Sequence, residues 1–246
     1  MTEAAPERPE LFLERRDSVA WIIIDRPAVR NAMTRAMGAR LGELLEEARD
    51  DDAVSVVVIT GVGTSFSAGL DRKEIAKGLE GKSEFPVELM VHYPKPTIAA
   101  INGLAYGGGA TMAMACDLRV ATAGATLTFG LGKVGLVPEW GSSYLLWRQI
   151  GYSRALDVML TARTIDADEA LAMGLVNRVV PDDQLTNAVT ELAQQISSLP
   201  HGTASAIKDV LRRGLDADFV AARANEARML GRRSRELAGM RRAKQS

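Results

Sequence analysis

The sequence predicts an α/β domain followed by a helical extension, and three observations lead to this prediction. Short apolar runs alternate with stretches of helical periodicity up to about Pro138. Beyond Pro138 the pattern becomes helical. The chain has 246 residues, 47% of them hydrophobic, which suffices for one large domain or one domain with a small appendage.

The predicted strands are short, and the most apolar of them are apolar on both faces, so we expect layers to cover both sides of the sheet. The first strand covers residues 19–25 and ends before Pro27, because proline removes a backbone donor and restricts the residue before it. A nearly continuous β-branched run predicts the next strand at residues 54–60. Further strands are predicted at residues 97–101 and 118–121.

Helices are predicted where apolar residues recur every three or four positions. The first begins at about Thr34 and ends at the acidic residues 50–52. Residues 72–90 are partly helical but are interrupted by two glycines, at positions 78 and 81, and by a proline. A buried helix is predicted at residues 107–116.

The second half contains a typical helix start at Asp166, where an acceptor side chain is followed three residues later by Glu169. Three further helices are predicted at residues 184–196, 203–211 and 219–237.

The composition excludes several classes of function. The formal net charge is -1, whereas a general electrostatic binder of nucleic acids is expected to be basic. The single cysteine, Cys116, excludes an internal disulfide framework and any zinc site with several cysteines. His92 and His201 are far apart and lack acidic companions, so we predict no metal site.

One uncharged stretch, between Lys95 and Asp117, could suggest a membrane segment. Asn102 and three consecutive glycines interrupt it, whereas a spanning helix is continuously apolar. The polar N-terminal residues also lack the apolar region of a secretory signal. We therefore expect a cytoplasmic protein that does not contact membranes.

Two glycine-containing segments, residues 65–71 and 102–109, each follow a buried strand. The second also opens a helix, where the first amides lack partners within the helix and carry positive partial charge. Glycine there lets atoms of another molecule approach the backbone. The alternative is that these glycines only form tight turns, and neither a dinucleotide fingerprint nor a phosphate loop is present.

Several short motifs follow one another along the chain: Arg26-Pro27, Arg30-Asn31-Ala32, residues 57–61, Phe66-Ser67-Ala68-Gly69 with Asp71, residues 95–103, Gly107-Gly108-Gly109, Cys116-Asp117, residues 135–138 and residues 174–177. In this order they resemble the crotonase superfamily, the enoyl-CoA hydratases and isomerases. The likeness extends from about residue 10 to about residue 215.

The resemblance implies an α/β fold with two parts. Residues 1–195 would form a crotonase-like spiral of ββα repeats that carries an acyl-CoA site, and residues 196–246 a C-terminal helical trimerisation region. It also implies a homotrimer or a dimer of trimers. The substrate would be an acyl-CoA thioester, with coenzyme A as part of the substrate and no permanently bound cofactor.

The resemblance also implies an oxyanion hole made by the backbone amides of Ala68 and Gly108. Removing a proton next to a thioester places negative charge on the carbonyl oxygen, and a fixed donor to that oxygen is typically worth ~3 kcal/mol. The coenzyme would lie along the Ala68 loop, with Ser67, Leu70 and Asp71 as substrate contacts. Arg30 and Lys73, or the neighbouring Arg72, would lie near its phosphates, although each could equally be a solvated surface cation.

This chain differs from the hydratases at two positions. In the hydratases, glutamates at these positions flank a water molecule. Thr111 and Leu131 stand at those positions. Neither side chain can act as a carboxylate base, so hydration with two carboxylates is not expected.

One acid remains nearby, Glu139, at a position where isomerases carry their single carboxylate. One carboxylate suffices for a 1,3-proton shift, and an apolar pocket would raise its pKa toward the working pH. That pocket would include Met90, Leu131, Leu136 and Trp140. The alternative role for Glu139 is a carboxylate favoured by the N-terminus of a helix.

The sequence therefore favours an enoyl-CoA isomerase and leaves other functions open. An enoyl-CoA hydratase with one carboxylate and an acyl-CoA thioester hydrolase are the enzymatic alternatives. A non-catalytic acyl-CoA-binding protein is the alternative from a different class.

Overall fold

The computed structural model describes residues 9–78 and 85–243 and contains two sheets. The strands are β1 (Leu11–Arg16), β2 (Val19–Ile24), β3 (Val56–Gly61), β4 (Ser65–Ser67), β5 (Thr97–Ile101), β6 (Leu104–Tyr106), β7 (Leu118–Thr122), β8 (Thr126–Thr128), β9 (Ile165–Asp166) and β10 (Arg178–Val180). The helices are α1 (Arg35–Asp50), α2 (Arg72–Ala76), α3 (Val87–Val91), α4 (Gly108–Ala115), α5 (Ser142–Ile150), α6 (Tyr152–Thr161), α7 (Ala167–Met173), α8 (Leu185–Ser197), α9 (Thr203–Gly214) and α10 (Phe219–Ala243).

The two sheets are built by successive turns of one spiral. The larger sheet has the order β1-β2-β3-β5-β7-β10, and only the β1–β2 pair is antiparallel. The smaller sheet has the order β4-β6-β8-β9, with β9 antiparallel. Each of the strand pairs β3/β4, β5/β6 and β7/β8 gives one strand to each sheet. The structure thus confirms the expected spiral of repeated turns.

The larger sheet is covered on both faces, as its apolar strands predicted. On β2, Ala20, Ile22 and Ile24 point into a core shared with α1 and α4. The alternate β2 residues point into a second core completed by apolar side chains of α8. Because successive side chains of a strand point to opposite faces of the sheet, β2 contributes to both hydrophobic cores.

The main elements confirm the sequence predictions, and most of their ends shift by one or two residues. The two C-terminal helices are longer than predicted, since α9 runs to Gly214 instead of residue 211 and α10 to Ala243 instead of residue 237. Thr34 caps α1 by accepting a hydrogen bond from the Met37 amide, and Asp166 caps α7 by accepting one from the Glu169 amide. The predicted partly helical region contains α2 and α3, and Gly81 lies outside the described residues.

The sequence pattern did not predict β1 or the very short strands. β1 has the sequence LFLERR and is only partly buried at the sheet edge, so it lacks the continuous apolar signal of the central strands. The strands of the smaller sheet are two or three residues long, too short for a period to be visible. They exist because the neighbouring turns of the spiral supply their partners.

The C-terminal part is helical. α8 runs to Ser197 and packs on the large sheet, so it crosses the predicted boundary at residue 195, and that division stays a prediction. Among the described residues, no helix is both long and apolar enough to cross a membrane.

Candidate active site

The two glycine-containing loops predicted from the sequence contact each other. A β-carbon placed on Gly69 would lie only 2.8 Å from the amide nitrogen of Gly108. A β-carbon on Gly109 would collide with the carbonyl oxygen of Ser67. Gly69 also has φ +81°, a conformation that glycine adopts without strain. These glycines therefore allow the β4 loop and the start of α4 to touch backbone to backbone.

Asn31 fixes the loop that supports this contact. Its fully buried side chain donates to the carbonyl oxygens of Val62 (2.9 Å) and Ser65 (2.6 Å) and accepts from the Arg26 amide (2.9 Å). The Ser67 hydroxyl donates to the Asn31 carbonyl at 2.8 Å. In the sequence Asn31 stood out only as part of a motif, and this role was not predicted. Its backbone is left-handed, with φ 57°, a conformation that asparagine tolerates better than most residues.

The two amides predicted to form the oxyanion hole differ in their present partners. The Ala68 amide donates to the carbonyl oxygen of Arg30 at 2.9 Å. Gly108 is the first residue of α4. The amide of a first helical residue has no carbonyl acceptor within its own helix. A thioester oxygen would have to replace the Arg30 carbonyl at Ala68.

Trp140 covers Gly108. A β-carbon on Gly108 would lie 2.7 Å from Cε3 and 2.8 Å from Cη2 of the indole. The same ring stacks on Phe85, with ring centroids 4.0 Å apart and planes 4° apart. The backbone of Trp140 has φ 52°, which is unusual for a bulky residue. The space beside the predicted oxyanion donor is thus filled by a side chain of the protein itself.

Glu139 precedes α5 and is half-buried. Burial raises the pKa of its carboxyl group. The N-cap of α5 is Gly141, and no side chain caps that helix.

The other predicted pocket residues lie on α4, on α3 and in the segment before Glu139. Thr111 is buried on α4, one turn after Gly108, and its hydroxyl lies 3.4 Å from the Gly107 carbonyl. Met90 is buried on α3. Leu131 and Leu136 are half-buried in the segment that leads to Glu139.

The predicted coenzyme contacts fall into two groups. Arg30 and Lys73 are exposed, and within the described residues neither forms an ion pair. Leu70 is half-buried. Ser67 is fully buried, and its hydroxyl also accepts from the Gly69 amide at 3.1 Å. The exposed pair can still reach a ligand, whereas Ser67 already serves the loop.

Asp71 is also engaged within the protein. It accepts from the Lys73 amide at 2.9 Å, which begins α2, and from Arg26 at 3.2 Å. These two contacts, the amide first, hold the pKa of Asp71 below its usual range. Arg26 also donates to the Ala32 carbonyl and pairs with Glu10, so its guanidinium is occupied. A direct contact of Asp71 with substrate stays a prediction.

A separate cleft of about 1240 Å³ lies between α5 and the C-terminal helices. None of the predicted site residues lines it. Apolar and charged side chains share its walls, and the charged ones include the pairs Asp117–Lys208 (2.6 Å) and Arg148–Asp216 (2.9 Å).

Comparison with known proteins identifies the family. Residues 14–241 match the family described as enoyl-CoA hydratase/isomerase. The chain belongs to this family. The crotonase resemblance seen in the sequence is therefore confirmed, as is the fold class.

Individual relatives in the enoyl-CoA hydratase/isomerase family have different activities in their names. The chain is 37% identical over 215 residues to 4-chlorobenzoyl coenzyme A dehalogenase-2 of an Arthrobacter species, covering 83% of this chain and 78% of the relative. It is 36% identical over 238 residues to the short-chain-enoyl-CoA hydratase of Clostridium acetobutylicum, covering 92% and 89%. It is also similar to the crystal structure of a monofunctional enoyl CoA isomerase from M. smegmatis, with 38% identity, a TM-score of 0.75 and coverage of 87% and 97%.

Two further solved relatives, from Thermobifida fusca, hold CoA and acetoacetyl-CoA. The family acts on CoA thioesters, and this chain is an acyl-CoA enzyme of that family. Because the relatives differ in reaction, the reaction of this chain has to be argued from its own residues.

Proposed function

We propose that this protein is an enoyl-CoA isomerase in which Glu139 is the sole proton carrier. The observation that supports this most is the half-buried carboxyl group of Glu139, whose pKa is raised by burial. A base with a raised pKa accepts a proton more readily near neutral pH. Thr111 and Leu131, at the positions of the hydratase glutamates, offer no second carboxylate.

The reaction needs only one carboxylate. Glu139 takes a proton from C2 of a 3-enoyl thioester, and the electron pair of that C–H bond delocalises over a dienolate whose charge rests on the thioester oxygen. The same carboxyl group then returns the proton to C4, the double bond moves to C2–C3, and Glu139 is ionised again. The amides of Gly108 and Ala68 stabilise the oxygen charge in between.

For the thioester oxygen to reach both amides, two groups of the protein that now contact Ala68 and Gly108 must move away. The Arg30 carbonyl must release the Ala68 amide, and the Trp140 ring must move from Gly108. Both residues have left-handed backbones, with φ 53° and 52°. Such conformations cost about 1–2 kcal/mol in residues other than glycine, so relaxation of either backbone would assist opening.

The coenzyme would lie along the Ala68 loop, with Arg30 and Lys73 near its phosphates. Their exposure and their lack of ion pairs within the described residues support this placement. Ser67, Leu70 and Asp71 would shape the loop around the pantetheine arm. A cytoplasmic location also stays a prediction.

The chain would assemble as a homotrimer or a dimer of trimers. Two exposed apolar stripes support self-association, because each places large side chains four residues apart on one helix face. They are Tyr152, Leu156 and Leu160 on α6, and Ile207 and Leu211 on α9 with Leu215 directly after it.

The decisive experiment compares the wild type with Glu139→Gln on 3-enoyl-CoA in heavy water. We expect the wild type to form 2-enoyl-CoA. Label should enter at C2 and C4 because the proton held by the Glu139 carboxyl group can exchange with heavy water before it is transferred to either carbon. Glu139→Gln should bind the thioester with unchanged affinity but lose at least about 100-fold in rate, the lower range of general acid–base contributions.

Each alternative function gives a different result. A hydratase would consume crotonyl-CoA with loss of its conjugated absorbance, and a hydrolase would release free CoA. A non-catalytic binder would show affinity for CoA thioesters but no label in either protein. Equal isomerisation by both proteins would exclude Glu139 as the base.

A further inference from the structure

We propose that Ser142 is a positioning residue for Glu139, because it fixes the backbone of the proposed proton carrier to the start of α5. This inference rests on the proposed isomerase function and adds a residue to that site. Ser142 itself would touch no reacting atom and would act only through Glu139.

The first observation is a pair of hydrogen bonds from Ser142 to the carbonyl oxygen of Glu139. The Ser142 hydroxyl donates at 2.8 Å and the Ser142 amide at 3.0 Å. Ser142 is 2% exposed, so its hydroxyl is shielded from water. A hydrogen bond in such surroundings is stronger than one in water. The backbone from which the Glu139 carboxyl group projects is therefore held by the residue three positions later.

The second observation is the turn between these two residues. Trp140 has φ 52° and Gly141 has φ 79° with ψ 6°, which together with the amide hydrogen bond define a type I′ turn. Asparagine or glycine is preferred at the position of Trp140 in such a turn, and a bulky residue is strained there. The turn therefore needs support beyond its own two central residues. The Ser142 hydroxyl supplies it as a second bond to the same carbonyl.

The third observation is that α5 is seated in the protein core next to α4. Leu146 is fully buried in the core that also contains apolar side chains of α4. The Gln149 side chain donates to the Met114 carbonyl of α4 at 3.3 Å. The proposed oxyanion donor, Gly108, begins that same helix. Ser142 thus joins the proton carrier to a pair of packed helices, one of which presents the amide for the thioester oxygen.

This connection keeps Glu139 in place relative to the Gly108 amide. The Trp140 ring has to move before a thioester oxygen can reach that amide, and a shift of its strained backbone would otherwise displace Glu139. Two hydrogen bonds to the Glu139 carbonyl oppose this displacement. A misplacement of about 1 Å can cost on the order of 100-fold in rate, so the fixing of Glu139 bears directly on catalysis.

The test compares Ser142→Ala with Ser143→Ala in the isomerisation of 3-enoyl-CoA. Both substitutions remove one hydroxyl from the start of α5, but Ser143 is exposed and serves as the matched control. We expect kcat of Ser142→Ala to fall about tenfold, as for a displacement smaller than 1 Å, while KM stays within about twofold of the wild-type value. Ser143→Ala should keep both wild-type values. Thermal unfolding shows whether each variant is folded at the assay temperature.

A second-site change separates positioning from an effect on stability alone. Trp140→Asn places asparagine before Gly141, the pair that most favours a type I′ turn. The turn then no longer depends on the Ser142 hydroxyl, so adding Ser142→Ala in this background should lower kcat by less than about twofold. If Ser142 affected only overall stability, kcat would be the same with and without its hydroxyl in every variant that is folded in the assay.

An unchanged kcat in Ser142→Ala, an equal loss in Ser143→Ala, or the same loss in both backgrounds would each overturn the inference. If these results occur while Glu139→Gln still abolishes the reaction of the wild type, the proposed isomerase function survives. If the wild type does not isomerise 3-enoyl-CoA, or if Glu139→Gln is as fast as the wild type, both the function and the inference are wrong.

Discussion

Gly108 combines two properties that a pair of substitutions can separate. It offers a backbone N–H at the start of α4, and it leaves room for the Trp140 ring. Gly108→Ala and Gly108→Pro add the same β-carbon against that ring, but only proline removes the N–H. Proline is well tolerated at the first position of a helix, so both variants should fold.

We expect Gly108→Pro to be at least about 100-fold slower than Gly108→Ala, because one oxyanion donor is typically worth that much in rate. The measurement is isomerisation of 3-enoyl-CoA by both variants, with thermal unfolding as a check on folding. Similar rates would show that the Gly108 amide does not contact the developing charge.

Glu139 should give the reaction its pH dependence. The carboxylate must be ionised to accept a proton, so the rate of the wild type should rise with pH through a pKa above that of an ordinary glutamate. Glu139→Gln should show a low rate without this rise. A wild-type profile that is flat between pH 4 and about 8 would contradict this role.

The same raised pKa has a consequence for stability. Because the folded state favours the protonated form, the ionised carboxyl group destabilises the fold at pH values above the folded pKa. The melting temperature of Glu139→Gln should therefore exceed that of the wild type at neutral pH, and the difference should shrink on acidification.

At the scale of elements, α4 depends on a buried cation at its C-terminal end. The guanidinium of Arg119 is almost fully buried and donates to the carbonyls of Leu175 (2.6 Å) and Cys116 (2.8 Å). Cys116 is the C-cap of α4, so Arg119 satisfies a carbonyl that the helix leaves open. In this way Arg119 fixes the helix whose other end carries Gly108.

Arg119→Met should lower the free energy of unfolding by about 3 kcal/mol, because it leaves buried carbonyls without donors. Arg163→Met is the matched control. The ion pairs of Arg163 with Asp157 and Glu169 are partly exposed to solvent, so this substitution should cost less than about 1 kcal/mol. Urea unfolding of both variants gives the comparison. Equal losses would mean that Arg119 does not support α4.

At the scale of the whole molecule, the exposed stripe on α9 bears on assembly. Leu211 is 67% exposed, so a charge there should not affect the folding of one chain. In the proposed oligomer, Leu211→Arg would bury an unpaired charge. We expect light scattering to find the wild type as a trimer or hexamer and Leu211→Arg as a smaller species with an unchanged circular dichroism spectrum.

Leu171→Arg, on the exposed face of α7, is the control and should leave the mass unchanged. A wild-type protein that is monomeric at micromolar concentration would refute the proposed assembly. The same result would leave the fold of the single chain intact.

The sequence predicted the central elements well because their signals are local. The apolar run of β3 and the helical spacing in α1 each lie within one continuous segment. The order of motifs gave the family for the same reason, since each motif is short and keeps its place along the chain. The short strands of the smaller sheet carried no such signal, because their partners come from other turns of the spiral.

For the candidate site, the residue pattern predicted the two glycine loops, and the family resemblance pointed to the missing hydratase carboxylates and to the remaining acid Glu139. The sequence could not predict which groups contact the amides of Ala68 and Gly108. The Arg30 carbonyl on Ala68, the Trp140 ring on Gly108 and its stacking on Phe85 join residues far apart in the chain. Such contacts depend on how the turns of the spiral pack, and packing is a property of three-dimensional arrangement that no local spacing encodes.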